Sequence, residues 1–271
     1  MSIEHKMQSI VKALAEKDSV LIAFSGGVDS SVLAALAYRA LGNNSIAVTA
    51  DSQTLAPGEL GCAKEVAREI GIRHLVISYD ELNEPEFAKN PVDRCYYCKK
   101  GLFRELKKLA AQHGLKSIVE GTNISELKAH RPGHRAVVEE DVYNPFVEFK
   151  VTKEEIREMA RRLGLSVANK PSMACLSSRF PYGQAITEEA LWRVGAAEDF
   201  LQKAGFKVVR VRDHAGVARI EIMPDDMARF MEMRAAVVSE LKRLGFSYVT
   251  LDLMGFRSGS MDEVLTAKDE K

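Results

Sequence analysis

Short apolar runs alternate with helical patterns along the first half of the chain. Residues 20–24 predict a strand that ends at two glycines, and apolar positions at helical spacing then continue as far as Gly42. Residues 46–50, 74–79 and 117–120 form similar runs and predict three further strands. Because helical patterns separate these strands, the sequence predicts βαβ units with a mainly parallel sheet.

Further helices are predicted from the same periodicity. They cover residues 57–70 and 99–112, with an irregular stretch over residues 80–93. Thr152 and Glu155 form a capping-box pattern, which predicts the start of a helix that runs as far as residue 163.

The pattern changes over residues 171–183, which are rich in proline and glycine. Beyond them, helix, strand, strand, helix and strand are predicted over residues 188–203, 207–212, 217–223, 225–244 and 248–253. Residues 213–216 predict a hairpin turn, and residues 262–271 predict a frayed polar tail. We therefore predict an α/β domain with a parallel sheet over residues 1–183 and a smaller α+β domain over residues 184–271.

Composition and charge narrow the class of protein. The chain has 271 residues, of which 46% are hydrophobic and 28% charged, as in ordinary soluble globular proteins. No apolar run approaches the roughly 18 residues that a membrane span needs. Lys plus Arg (38) balances Asp plus Glu (38), whereas dedicated nucleic-acid binders carry a basic excess. We expect neither a membrane nor a nucleic acid as partner.

The cysteines and the first residues bear on the cellular compartment. Residues 1–8 contain Glu4 and Lys6 and no apolar segment, so we expect no signal peptide. Four cysteines in such a chain favour a reducing compartment, where cysteine serves metals or catalysis more often than disulfides. The expected compartment is the cytoplasm.

The strongest chemical signal lies between the first strand and its helix, in the segment Ser25-Gly26-Gly27-Val28-Asp29-Ser30-Ser31. Its glycines allow a tight turn, and the free N–H groups at the helix start form an anion site. The three serine hydroxyls add donors, and Asp29 is suited to hold Mg²⁺. The segment lacks the Gly-Lys-Ser/Thr of the Walker pattern. The alternative interpretation is a strand–turn–helix that uses small residues only for packing.

This segment resembles the Ser-Gly-Gly-x-Asp-Ser motif of the PP-loop ATP pyrophosphatases. The resemblance implies that ATP is cleaved to AMP and pyrophosphate, and that an oxygen of the substrate is adenylated and then displaced by a nucleophile. Four further strings are similar to the LarE sulfur transferases, and they lie at residues 120–123, 131–133, 171–183 and 218–221. The likeness spans about residues 8 to 260. Ser125-Glu126 departs from the family, which often has acidic residues at both places.

The cysteines suggest a metal or sulfur site. Cys95 and Cys98 form a C-x-x-C at a predicted helix start, and Cys175 lies far along the chain. Three thiolates at one pocket suit a [4Fe–4S] cluster with one iron left without a protein ligand. Zinc with an open fourth position, a redox pair and inert thiols are the alternatives. We interpret Cys62, which lies among apolar residues of a predicted helix, as a core thiol.

The resemblance implies two ways of supplying sulfur. In some LarE members the cysteine at the position of Cys175 gives up its own sulfur, whereas members with two additional cysteines are cluster-dependent. Cys95 and Cys98 match the second pattern, in which an open iron carries sulfide or sulfur from another donor. The resemblance also implies a catalytic role for Lys99 at a phosphate, for which a solvated helix face is the alternative.

Three arginines are further candidates. Arg179, four residues after Cys175, is suited to bind a substrate carboxylate or phosphate, with a structural ion pair as the alternative. Arg210 and Arg212 share one face of a predicted strand, opposite Glu221 on its neighbour. The resemblance implies that they form a phosphate site at a subunit boundary of a homo-oligomer. An ordinary cross-strand ion pair is the alternative.

The expected function is ATP-dependent insertion of sulfur into an adenylated carboxylate of a pyridinium mononucleotide, for nickel-pincer nucleotide biosynthesis. The resemblance thus implies ATP, Mg²⁺ and a [4Fe–4S] cluster as cofactors. A tRNA thiolase is the main alternative, since some of these enzymes combine a PP-loop with three cysteines. Residues 184–271 hold 13 Lys plus Arg against 15 Asp plus Glu, which is unlike an RNA-binding appendage. A non-catalytic nucleotide and iron sensor is the third hypothesis.

Overall fold

The computed structural model describes residues 2–127, 132–171 and 173–266. Arg131 and Ser172 of the family-like strings, and residues 267–271 of the predicted tail, lie outside the described residues. No helix in the described part of the chain is long and apolar enough to cross a membrane.

The chain separates into two compact units. The first comprises the chain up to Phe87 together with Asp93–Met173, and the second comprises Ala88–Val92 with the chain from Ala174 onward. Residues 174–183 therefore group with the second unit, whereas the sequence predicts a domain division after residue 183. That division as a boundary of folding domains stays a prediction.

Four parallel strands form the centre of the first unit. In the order β3-β2-β1-β4 across the sheet, they are β1 (Val20–Ala23), β2 (Ser45–Asp51), β3 (Arg73–Ser78) and β4 (Ser117–Val119). The helices of this part of the chain are α1 (Ile3–Ala15), α2 (Val28–Leu41), α3 (Glu59–Ile70), α4 (Pro85–Ala88), α5 (Arg94–Gln112), α6 (Ile124–Leu127), α7 (Gly133–Glu139), α8 (Pro145–Glu148) and α9 (Lys153–Arg162). The predicted parallel α/β architecture is confirmed.

The central strand and the helix after it are both buried. Leu21 and Ile22 of β1 and Val32 and Leu36 of α2 have no exposed surface, which is typical of a parallel strand covered on both faces. Gly42 ends α2 with φ 53°. This packing fixes the loop between β1 and α2 at the carboxyl end of a central strand, where open α/β sheets bind ligands.

The second unit contains a mixed sheet of three strands. In the order β5-β6-β7, they are β5 (Val209–His214), β6 (Val217–Ile222) and β7 (Tyr248–Leu251), with an antiparallel first pair and a parallel second pair. Its helices are α10 (Glu188–Lys203), α11 (Met227–Glu232), α12 (Arg234–Arg243) and α13 (Glu263–Thr266). Ala215 and Gly216, with φ 51° and 89°, form the predicted hairpin turn.

Some element boundaries differ from the predicted ones. Helix α5 begins at Arg94 and not at residue 99, so it includes the C-x-x-C motif. The single helix predicted over residues 225–244 is wrong, since Met233, with φ −90° and ψ 0°, separates α11 from α12. Neither glycine nor proline marks this break in the sequence. Helix α13 lies inside the predicted polar tail.

Candidate functional site

The loop between β1 and α2 requires glycine at its closest contact with α3. Gly26 has φ +69°, and a Cβ on it would lie 2.6 Å from the Cα of Ala63. Gly27 is the N-cap of α2 and has an extended conformation. The loop therefore needs Gly26 both for its left-handed backbone and for the approach of the neighbouring helix.

Serine hydroxyls hold this loop in shape. Ser30 Oγ accepts a hydrogen bond from the Ser25 N–H at 3.2 Å and donates to the Gly27 carbonyl at 3.1 Å. Ser31 Oγ donates to the same carbonyl at 2.8 Å and is fully buried. The geometry gives Ser31 a structural role in the loop and does not support its predicted contact with a nucleotide.

Asp29 lies in the first turn of α2, and both of its carboxylate oxygens have partners. Asn123 Nδ2 donates to Oδ1 at 2.9 Å, and Lys153 Nζ forms a short ion pair with Oδ2. Gly121 packs on the same turn, since a Cβ there would lie 3.2 Å from the carbonyl carbon of Asp29. The segment after β4 and the start of α9 therefore both contact the loop at Asp29.

A cavity of about 360 Å³ opens beside this loop, at the carboxyl ends of the four strands. Ser25, Asp29 and Ser30 of the loop line it. Apolar side chains of β2 and α5, such as Val48 and Phe103, form a further part of its wall. A partly apolar cavity with a few convergent polar groups is typical of a small-molecule site.

Lys99 and Glu120 form a hydrogen-bonded group on the cavity wall. Lys99 Nζ lies 3.1 Å from Glu120 Oε2 and 3.3 Å from Thr122 Oγ1. Glu120 is 6% exposed and also accepts hydrogen bonds from Thr122 Oγ1 at 2.8 Å and Asn144 Nδ2 at 2.5 Å. A buried carboxylate thus holds the ammonium group at the cavity, and its predicted contact with a phosphate stays a prediction.

Cys95 and Cys98 lie near the start of α5, three residues apart, so they share one face of the helix. Cys95 is exposed, Cys98 is half-buried, and neither forms a disulfide. Tyr79 Oη donates to the Cys98 carbonyl at 3.1 Å, and Gly101 leaves the space that the tyrosine hydroxyl occupies. Burial raises the pKa of Tyr79, so its hydroxyl stays a donor.

Cys175 lies in the second unit, just before a 3₁₀ turn at Leu176–Arg179. The thiol is exposed and its Sγ lies 2.8 Å from Ser177 Oγ. Its backbone carbonyl accepts hydrogen bonds from Ser178 Oγ at 2.8 Å and Arg179 Nη1 at 3.3 Å. The turn therefore presents the thiol on an internally hydrogen-bonded segment.

Arg179 has no exposed surface. Its Nε and Nη2 donate to the two carboxylate oxygens of Glu198 at 2.7 and 2.9 Å, and its Nη1 donates to the Ala174 carbonyl at 3.1 Å. Contacts inside the second unit thus occupy the guanidinium. This geometry favours the structural ion pair over the predicted contact with a substrate, and we treat Arg179 as a positioning residue for the Cys175 segment.

Arg210 and Arg212 lie on one face of β5, and both are nearly buried. Arg212 Nη2 donates to Glu221 Oε2 at 2.7 Å and to Ser260 Oγ at 3.1 Å. Its Nε is buried and has no hydrogen-bond partner among the described residues. Burial lowers the pKa of Arg210 to about 10, which leaves the group charged at neutral pH. The face is thus positively charged and retains unused hydrogen-bonding capacity.

The predicted metal ligands are divided between the units. Cys95 and Cys98 belong to the first unit and Cys175 to the second. Within residues 2–127, 132–171 and 173–266, no group of three or more His, Cys, Asp or Glu side chains is arranged to hold a metal ion. The predicted cluster stays a prediction.

The structure adds residues that the sequence analysis did not single out. Lys153 and Asn123 both contact Asp29. The available signals were the capping box, which places Lys153 at a helix start, and the family-like segment at residues 120–123. Lys170 supports the loop and Cys62, since its Nζ lies 3.5 Å from the Gly26 carbonyl and 3.1 Å from the Cys62 Sγ. Burial acts to lower the pKa of Lys170, but its hydrogen bonds outweigh burial and raise it.

Comparisons with known proteins cover nearly the whole chain. Residues 3–94 match the asparagine synthase family. An uncharacterized protein of Synechocystis is 41% identical over 97% of this chain and 99% of its own length. A pyridinium-3,5-bisthiocarboxylic acid mononucleotide synthase of Lactiplantibacillus plantarum is 36% identical over 96% of this chain and 95% of its own length. A tRNA-specific 2-thiouridylase of Rickettsia canadensis is 27% identical over 58% of this chain and 53% of its own length.

Proposed function

This chain belongs to the LarE-type sulfur transferases of the PP-loop superfamily, and from that premise we propose that it acts on pyridinium-3,5-biscarboxylic acid mononucleotide. It is an ATP-dependent sulfurtransferase. The proposed reaction replaces a carboxylate oxygen of this substrate by sulfur, in nickel-pincer nucleotide biosynthesis. The observation that carries the proposal is one cavity lined by an anion-binding loop, Lys99 and an apolar wall.

The loop residues would bind Mg²⁺–ATP. The N–H groups at the start of α2 suit the phosphates, and carboxylate oxygen is the donor that Mg²⁺ prefers. Asp29 is now ion-paired with Lys153, so a cation at Asp29 would release that ammonium group to a phosphate oxygen. Lys99, which lines the same cavity beside Glu120 and Thr122, would neutralise charge that develops at the α-phosphate.

The chemistry proceeds in two stages at each carboxylate. A carboxylate oxygen attacks the α-phosphorus of ATP, the bond to the leaving oxygen breaks, and pyrophosphate departs. A sulfur nucleophile then attacks the acyl carbon of the adenylate, and AMP leaves with the electron pair of the broken C–O bond. Repetition at the second carboxylate gives the dithio product.

For the sulfur source, we propose an iron–sulfur cluster held by the thiols of Cys95, Cys98 and Cys175. All three are thiols outside disulfides, and two of them share one turn of α5. Soft thiolate ligands select such clusters. When bound, a [4Fe–4S] cluster with three protein ligands would supply an iron that is open to sulfide. The alternative is that Cys175 gives up its own sulfur once per chain.

Iron and sulfide content distinguish these alternatives. We expect anaerobically prepared protein to hold iron and acid-labile sulfide, and each Cys→Ala change at 95, 98 or 175 to lose both. Cys62→Ala is the matched control. We expect this change to leave the iron content unchanged, because the Cys62 thiol contacts Lys170 and is not among the three proposed ligands. Loss of one sulfur from the mass of Cys175 after reaction, with activity retained in Cys95→Ala, would favour the sacrificial route.

Acceptor-dependent AMP release tests the substrate. We expect the pyridinium mononucleotide to stimulate AMP formation and unmodified tRNA to leave it at the basal rate. Stimulation by tRNA, with sulfur found in a nucleoside, would replace the proposal by the tRNA thiolase alternative.

We also propose that Arg210, Arg212 and Glu221 form a phosphate site for the substrate or nucleotide, at a boundary between copies of the chain. The unpartnered Nε of Arg212 supports this assignment. An Arg210→Ala/Arg212→Ala double variant is expected to raise the apparent KM more than it lowers stability. Unchanged kinetics would return both arginines to a structural role.

A further inference from the structure

Glu81 is a buried acid in the wall of the ATP-site cavity. It follows β3 in the chain, opens the 3₁₀ turn at Glu81–Asn83 and is 4% exposed. Its side chain lines the same cavity as Ser25, Asp29 and Lys99. No step of the proposed reaction uses it.

Only one oxygen of this carboxyl group is satisfied. Thr54 Oγ1 donates to Glu81 Oε1 at 2.7 Å, and Ser52 Oγ lies 3.3 Å from the same threonine hydroxyl. Oε2 is buried from solvent and has no hydrogen-bond partner among the described residues. Leaving a buried acceptor without a partner is costly, so such atoms in native proteins call for an explanation. A ligand in the cavity provides one.

The position of Glu81 in the sheet indicates which part of ATP it meets. The phosphate-binding loop follows β1, and β3 lies two strands away, about 10 Å across the sheet. Apolar residues such as Val48, Leu102 and Phe103 lie along the cavity and suit a flat heterocycle. With the phosphates at the loop, the base therefore extends towards β3 and Glu81.

We propose that Glu81 is a specificity-determining residue for the base, and that its Oε2 accepts a hydrogen bond from the exocyclic amino group of adenine. Hypoxanthine, the base of ITP, and guanine carry a carbonyl oxygen at that position, which would face Oε2 as a second acceptor. The cavity would thereby select ATP over ITP and GTP. Burial raises the pKa of Glu81, and its hydrogen bonds partly oppose this effect. The inference requires ATP use and is independent of the acceptor and of the sulfur source.

Glu81→Gln should shift the nucleotide preference from ATP towards ITP. Thr54 donates to Oε1, so it would orient the new amide with its carbonyl oxygen towards Thr54 and its NH₂ group towards the cavity. A donor in place of Oε2 pairs with the carbonyl of ITP and opposes the amino group of ATP. The expected change in the ATP-to-ITP affinity ratio is about tenfold or more, as for a hydrogen bond to a charged group.

Equilibrium binding of Mg²⁺–ATP and Mg²⁺–ITP to the full chain tests the proposal. Glu86→Gln is the control, because Glu86 is an exposed carboxylate outside the cavity. We expect the ATP-to-ITP affinity ratio to fall by about tenfold or more in Glu81→Gln and to stay at the wild-type value in the control. An unchanged ratio in Glu81→Gln would overturn the proposal and leave the sulfur-transfer proposal intact, since that rests on AMP release and product analysis. If Glu81→Gln fails to fold, binding of purine riboside triphosphate to the wild-type protein tests the proposal instead, because this nucleotide lacks the amino group. An affinity equal to that of ATP would overturn the role of Glu81. Weaker binding would support it.

Discussion

Single residues at the start of α2 bring three segments of the first unit into contact. Gly26 admits α3, Asp29 binds the first residue of α9, and the turn at Asp29 contacts Gly121 of the segment after β4. A larger residue at Gly26 or Gly121 would clash with its neighbour, and a neutral residue at Asp29 would lose the ion pair with Lys153. The loop is therefore preorganised before ATP arrives, which reduces the cost of binding.

Asp29→Ala should abolish catalysis while the fold persists. The change removes the carboxylate proposed for Mg²⁺ and leaves Lys153 without its ion-pair partner. We expect AMP and pyrophosphate formation to fall by at least about 100-fold, the scale for loss of one preorganised electrostatic group. Circular dichroism checks the fold. A variant that forms AMP at the wild-type rate would contradict the assignment of the loop.

Gly26→Ala should destabilise the protein, because the new methyl group meets the backbone of Ala63 at 2.6 Å and the residue has a positive φ. We expect a loss of about 1–3 kcal/mol in the free energy of unfolding, measured with urea. Gly61→Ala on α3 is the matched control. A Cβ there meets nothing within 4 Å, so helix propensity should stabilise the protein by up to about 1 kcal/mol. Equal effects of the two changes would contradict this account.

The sequence revealed the residues of the loop but not all of their partners. Residues 25–31 form a local pattern, with strand before and helix after, and this spacing is visible without a structure. Glu81 and Thr54, or Asp29 and Lys153, are brought together only by the folding of distant segments. Arg179 shows the same limit. Its charge suggested a bound ligand, and only the folded structure shows that its partner is Glu198 of α10.

At the scale of elements, the position of α5 depends on a close contact with the end of β3. Tyr79 follows β3, reaches over Gly101 and donates to the carbonyl of Cys98. This hydrogen bond connects the sheet directly to the turn that carries both cysteines. The helix is therefore fixed relative to the cavity wall that it helps to form.

Gly101→Ala should destabilise α5, although alanine normally favours a helix by about 1 kcal/mol over glycine. The added Cβ would overlap with Tyr79 Oη. In a Tyr79→Phe background the next ring atom lies 3.4 Å away, so the same change should cost less. Urea unfolding of the four proteins of this double-mutant cycle measures the coupling. Additive effects would show that the tyrosine hydroxyl does not limit the helix position.

Arg179→Gln should weaken the attachment of the Cys175 segment to α10. It leaves Glu198 buried without its cation, and breaking such a pair costs about 3–5 kcal/mol. The double variant Arg179→Met/Glu198→Leu removes both charges and is expected to recover most of this stability. We expect its kcat to stay low and its KM for ATP to be unchanged. Recovery of full kcat in the double variant would contradict a positioning role.

Element types were more predictable than element boundaries. The apolar runs predicted all four strands of the first unit. The central strands β1 and β2 are mostly buried and leave a continuous apolar signal, and the partly exposed edge strand β3 still carries the run Leu75-Val76-Ile77. No glycine or proline marks the break at Met233, and Asp93 was the one local signal for the early start of α5 at Arg94. Boundaries of this kind follow from contacts that local periodicity does not contain.

At the scale of the whole molecule, the chemistry is distributed over both compact units. The first unit carries the ATP cavity, Cys95 and Cys98, and the second carries Cys175 and the arginine face of β5. Residues 171–183, the string most specific to the family, span the junction between the units in the chain. The sequence alone revealed the α/β and α+β order, while the assignment of residues 174–183 to the second unit required the three-dimensional contacts.

The central claim is that a substrate carboxylate is adenylated and that sulfur then displaces AMP. The most direct test uses pyridinium-3,5-biscarboxylic acid mononucleotide with heavy oxygen in its carboxylates, incubated with the protein, Mg²⁺–ATP and sulfide. We predict that one heavy oxygen appears in the phosphate of each AMP released, and that the substrate gains one sulfur for each oxygen lost. AMP without heavy oxygen, or a substrate whose carboxylates remain intact, would contradict the account.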